Sequence, residues 1–109
     1  MKKRITGKCR AVFGKLLRPD FFKAFSDPNR LSLLVHLASC GPTVNVSELQ
    51  SCCKVHISVI SRHLAVLRQA GIISREKKGR EVVYHVNYGK LVAALRELAD
   101  AFEECCGKD

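Results

Sequence analysis

Apolar residues recur at helical spacing in four stretches of the chain and alternate in one. In SDPNRLSLLVHLASCGP, Leu31, Leu34, Val35 and Ala38 fall at i, i+3, i+4 and i+7, which predicts a helix with that face inward. Asp27 is placed to cap it, Pro28 to occupy its first position, and Gly41 and Pro42 to stop it. VSELQSCC follows, with Ser47 and Gln50 in capping-box spacing, and predicts a short helix. In KVHISVISRHLAVLRQAGII, Ile60, Leu64 and Leu67 share one face of a helix over about residues 57–70 that Gly71 ends. His56 stands at its N-cap, where Ser is commoner. IISREKKGREVVYHVN reads as two short strands over about 72–87, with Gly79 at the tip of a charged turn. YGKLVAALRELADAFEECC predicts a last helix over about 88–106, its stripe Leu91, Leu95, Leu98, Phe102 and Cys105 stepping by four and three. Near the start, residues of about 10–25 (Phe13, Leu16, Leu17, Phe21, Phe22, Phe25) are apolar and helical in pattern, but Pro19 interrupts them.

The element order is helix, helix, short helix, long helix, hairpin, helix. It predicts a mainly α fold with a small β-hairpin (α+β), a winged helix-turn-helix, as one domain over 1–109. The final stripe is long for a monomer of this size to leave bare, so a homodimer is expected.

Charge adds a partner. The chain carries a net +9, concentrated in residues 1–30 (net +7) and 54–80 (net +6), while residues 97–109 carry net −4. Two basic blocks and an acidic tail point to a polyanion that meets some surfaces and avoids others. No run of apolar residues is long enough to cross a bilayer and the N-terminus lacks the pattern of a signal peptide, so a cytoplasmic protein with no membrane partner is expected. There is no Gly-rich phosphate loop, no paired carboxylates and no nucleophile beside a base, so an enzyme is not expected.

The stretch from FKAFSDPNRLSLLVHL through VSELQ to ISRHLAVLRQAGIISREKKGREVVYHV, roughly residues 20–90, resembles the ArsR/SmtB family of metal-responsive bacterial repressors. The resemblance implies a homodimer, closed through its first and last helices, that binds palindromic double-stranded operator DNA without a cofactor and lets go when an inducer binds. A recognition helix reads bases from its N-terminal and outward positions. Here those positions are Ser58, Ser61, Arg62 and His63, with Arg75, Lys77, Lys78 and Arg80 of the wing on the backbone or minor groove.

The family's known sensor sites are missing. Where its arsenic site has three thiols on the short helix, this chain has NVSELQ, residues 45–50, and where its zinc site needs histidines on the last helix, residues 88–109 have none. Six cysteines stand elsewhere. Cys40, Cys52 and Cys53 read as packing residues. Cys105 and Cys106 fall on the apolar face of the last helix and resemble the vicinal C-terminal pair with which some family members bind trivalent arsenic or antimony. Soft As(III) or Sb(III) favours thiolates. A methylated arsenical needs two, while the inorganic ions prefer three, for which Cys9 is the candidate, from the same chain or the partner. Adjacent Cα atoms lie about 3.8 Å apart, too close for an ordinary disulfide, and a cytoplasmic location keeps thiols reduced. Two other readings remain open at this point. One is a redox or persulfide switch that bridges segments, for instance Cys40 to Cys105. The other is a thiol metal-buffering protein.

Overall fold

The computed structural model describes residues 6–39, 44–53 and 56–106, the side chains of 51–53 apart. The expected helix stop at Gly41 and Pro42, the thiol of Cys40 and the side chains of Cys52 and Cys53 lie outside the described residues. The elements run α1 (Gly7–Leu16), α2 (Pro19–Ala24), α3 (Pro28–Ser39), β1 (Val44–Asn45), α4 (Val46–Cys53), α5 (Ile57–Gln69), β2 (Ile73–Lys78), β3 (Glu81–Val86) and α6 (Tyr88–Cys106). This is the mainly helical fold with a small antiparallel sheet that the pattern predicts.

The N-terminal apolar segment forms two helices rather than one interrupted helix. Arg18 is extended, and Pro19 opens α2 at a position where a missing N–H costs nothing. Asp27 caps α3: its Oδ1 accepts from the backbone N–H groups of Asn29 (2.8 Å) and Arg30 (3.2 Å). The inward face of α3 differs from the expected one. Leu33 and Leu37 are buried, whereas Leu31 and Val35 are 39% and 65% exposed. The core face includes a charged residue, Arg30, so apolar periodicity alone selects the neighbouring register.

Two further local corrections concern caps and strands. The cap of α4 is Asn45, whose Oδ1 accepts from the N–H of Glu48 at 2.9 Å, not Ser47. At the start of α5 His56 does serve as a cap, its Nδ1 accepting from the N–H of Ser58 at 3.1 Å. The sheet has three strands, in order β1-β3-β2, not two. Val44 and Asn45 pair with Tyr84 and Val83, a bridge too short to leave any alternation in the sequence. Ile73 pairs with Val86 and Lys78 with Glu81 in the hairpin. Its tip needs a positive φ, which Gly79 supplies at 64°, and Gly71 supplies 79° where α5 turns into β2.

One core joins the elements: Phe21 and Ala24 of α2, Leu33 and Leu37 of α3, Leu49 of α4, Ile60, Leu64 and Leu67 of α5, and Ile72, Ile73 and Val86 at the base of the wing. Leu91 and Ala94, in the first half of α6, pack against it. The second half of α6 packs against α1 instead, with the rings of Phe13 and Phe102 4.9 Å apart. The molecule is therefore long: its radius of gyration is 17.1 Å, against about 13 Å for a compact domain of this size.

Candidate DNA-binding face and thiol site

Helix α5 is held on three sides. Ile60, Leu64 and Leu67 bury its inner face. Its C-terminal end is tied to α2, because Arg18 donates to the carbonyl of Ala70 at 3.3 Å. The chain beyond it is clamped by Asn87, whose Nδ2 donates to the carbonyl of Gly71 (3.1 Å), whose backbone N–H donates to that of Ile72 (2.8 Å) and whose Oδ1 accepts from Ser74 (2.9 Å). Asn87 thus ties the end of α5 to the first strand of the wing.

The outer face of α5 carries Ser58, Ser61 and Arg62, all exposed. Ser58 is engaged locally, its hydroxyl 2.8 Å from the Nδ1 of His56. Arg75, Lys77, Lys78 and Arg80 are exposed on the wing and its tip. Between helix and wing lies a groove of about 260 Å³ lined by Ser61, Arg68, Arg75 and Tyr84 among others. Arg68 thus faces the same groove as Arg75. It belongs to the basic face although it stands at the last turn of α5, where sequence position gives no sign of it.

His63 sits differently from its neighbours. It is half-buried, and the Nη1 of Arg30 lies 3.1 Å from its Nδ1. A guanidinium only donates, so Nδ1 accepts and the ring proton is on Nε2. That Nε2 is buried with no partner. Arg30 itself, 7% exposed, also donates Nε to the carbonyl of Ala24 (3.1 Å) and Nη2 to that of Lys23 (2.8 Å). One guanidinium thereby satisfies the end of α2 and fixes α3 against α5. His63 braces α5 from inside.

At the opposite end of the molecule, α1 and α6 bring two cysteines together. Cys9 in the first turn of α1 and Cys105 in the last turn of α6 form a disulfide, with Cα atoms 5.8 Å apart and a separation of 96 positions in sequence. The separation is within the range a disulfide spans. The expectation of reduced thiols is therefore not what the structure holds at this pair. Thr6 caps α1, its Oγ1 accepting from the N–H of Cys9 at 3.1 Å. Successive residues on a helix point about 100° apart, so Cys106 leaves this contact and is exposed and free. The two halves of the vicinal pair thus face different surroundings. Cys9 and Cys105 line an open groove of about 590 Å³ together with Lys8, Val12, Lys15, Glu97 and Glu104 among others. Among the described residues no three His, Cys, Asp or Glu side chains cluster to hold a metal ion. No described helix is long and apolar enough to cross a membrane.

Known proteins resemble the chain over most of its length. A family of helix-turn-helix domains matches residues 25–76. The transcriptional repressor SmtB homolog of Synechocystis is 33% identical over 85 residues, which are 78% of this chain and 63% of that protein. The arsenic resistance transcriptional regulator ArsR1 of Pseudomonas putida is 35% identical over 97 residues, 86% of this chain and 75% of the relative. Among solved structures, an ArsR-like transcriptional regulator from Rhodococcus superposes with a TM-score of 0.73 at 26% identity, covering 86% of this chain and 85% of that one. With a helix-turn-helix held rigid by its neighbours, a basic wing beside it and relatives of this kind, the chain belongs to the ArsR/SmtB family of winged helix-turn-helix transcriptional regulators and is not an enzyme.

Proposed function

We propose that this protein is a cytoplasmic transcriptional repressor that binds operator DNA as a homodimer and is released when trivalent arsenic or antimony, inorganic or organic, binds its cysteine thiols. The observation that carries the reading is the meeting of Cys9 and Cys105 across α1 and α6. Once reduced, these thiols reach a single atom from two helices, and Cys106 stands one residue beyond them. Soft trivalent metalloids favour such a pair of thiolates. Two meeting thiols suit an organoarsenical best. A relative named for arsenic resistance supports the same ligand class.

DNA binding rests on Ser58, Ser61, Arg62, Arg75, Lys77, Lys78 and Arg80, which are exposed on helix and wing, with Arg68 beside them and His63 holding the helix in place. The test is a titration of the reduced protein on a fluorescent fragment of its own promoter. Arsenite, antimonyl tartrate or phenylarsine oxide is expected to lower the anisotropy to that of free DNA. Failure of all three to displace the protein would contradict the reading.

A second reading, in which oxidation itself is the signal, is favoured by the disulfide. It predicts that the oxidised protein loses operator affinity with no metalloid present.

A further inference from the structure

We propose that Cys9 and Cys105 form a reversible redox pair that decides whether the inducer binds: with the bond closed the repressor stays on its operator and takes up no metalloid, and with the bond open it becomes inducible. The inference rests on the metalloid reading above. Closing the bond removes both thiols of the meeting pair and leaves Cys106 as the free thiol at the end of α6. One thiol cannot chelate. The bond is also reachable, because both cysteines line an open groove and each is only half-buried.

The helices themselves do not depend on the bond. Phe13 is one turn beyond Cys9 and Phe102 nearly one turn before Cys105, and their rings meet at 4.9 Å. Opening the disulfide therefore leaves α1 and α6 packed and the two sulfurs near each other. The open and closed forms share one arrangement of helices, so closing the bond preserves the shape that binds DNA.

The chemistry balances. Peroxide closes the pair: two thiols give up two electrons and two protons, an S–S bond forms, and hydrogen peroxide becomes two waters. A dithiol reductant opens it: its own sulfurs join as a disulfide, and the two electrons and two protons pass to Cys9 and Cys105. Phenylarsine oxide then reacts with the two thiols. Two As–S bonds form, two S–H bonds break, and the oxide oxygen leaves as one water.

The full-length protein is prepared reduced, or oxidised with hydrogen peroxide, in both cases with reagents removed by gel filtration. Phenylarsine oxide is added, and uptake is mapped by mass spectrometry while operator binding is followed by anisotropy. The reduced protein is expected to carry one phenylarsenic group across the peptides of Cys9 and Cys105 and to leave the DNA. The oxidised protein is expected to show the Cys9–Cys105 disulfide, to bind operator as tightly as the reduced form and to take up no phenylarsenic there. Cys9→Ser is expected to lose the disulfide. Equal uptake by the two forms would overturn the proposal, as would thiols at Cys9 and Cys105 after oxidation, or loss of operator affinity on oxidation alone. Uptake by the reduced form alone, without release of DNA, would support the gate while refuting the metalloid reading.

Discussion

Arg30 does more for this fold than its place in an exposed-looking DPNRL stretch suggests. Its guanidinium serves two carbonyls at the end of α2 and the ring of His63 on α5. Arg30→Ala would leave the buried carbonyl of Ala24 and the Nδ1 of His63 without this donor, while the carbonyl of Lys23 keeps its bonds from Ser26, and a loss of about 2–4 kcal/mol of stability is expected, measurable by urea denaturation. Asp27 acts beside it. The backbone N–H of Arg30 holds the carboxyl of Asp27 below its ordinary pKa of 3.8, burial opposes this, and the N–H of Asn29 adds to it. A depressed folded value means that the ionised cap stabilises the fold at neutral pH and that this contribution is lost as pH falls through that value, below about pH 4. Asp27→Asn keeps the acceptor and removes the titration, so its thermal stability should fall less steeply than wild type between pH 5 and pH 3, roughly the span over which a carboxylate titrates. Only the cap was legible in the sequence. The brace was not, because a buried arginine breaks the apolar rhythm that marks an inward face, and its partner His63 is 33 residues away.

In the proposed reading α5 and the hairpin bind DNA, and their buried faces share one core. The exposed cations of helix and wing are present twice in a dimer, so several phosphates are neutralised at once. A log–log salt slope of about −5 or steeper is expected for operator binding. Arg62→Ala should weaken specific binding by roughly 1–3 kcal/mol, while Lys77→Ala should weaken all sequences alike. Binding of the operator by Arg62→Ala at wild-type strength would place the reading face elsewhere. The long periodic helices and the glycine-tipped hairpin were legible because period and punctuation agree there. Strand β1 was not, since two residues carry no period, while the break between α1 and α2 was read at Pro19, though not that Pro19 opens a new helix there. The meeting of Cys9 with Cys105 was anticipated only through the resemblance, which brings first and last helices together; the disulfide between them was not, because nothing in the sequence fixes how their turns align.

At the scale of the whole molecule, the elongated shape and the bare flank of α1 and α6 belong together. Leu95 and Phe102 are each 46% exposed, and Val12 and Val92 stand beside them among the exposed apolar residues. A second copy covers this face in the proposed dimer. Sedimentation at micromolar concentration should give a dimer for wild type and a monomer with weakened operator binding for Leu95→Glu. The thiol pair adjoins the same flank, so a ligand held by α1 and α6 bears on the angle between the two recognition helices, whose spacing must match one turn of DNA. It acts only through its preference for the weakly binding state, and a coupling of about 1–3 kcal/mol is typical of such linkage. The most direct test is operator release by antimonyl tartrate and by phenylarsine oxide, measured side by side for reduced wild type and for Cys9→Ser, Cys105→Ser, Cys106→Ser, Cys40→Ser, Cys52→Ser and Cys53→Ser. Cys9→Ser and Cys105→Ser are predicted to bind operator as wild type does and to stay bound when either metalloid is added, with Cys106→Ser showing whether the second half of the vicinal pair supplies a third ligand to antimony. The other three are predicted to remain inducible. Normal release from a Cys105/Cys106 double variant would contradict the account and move the sensor to Cys52 and Cys53.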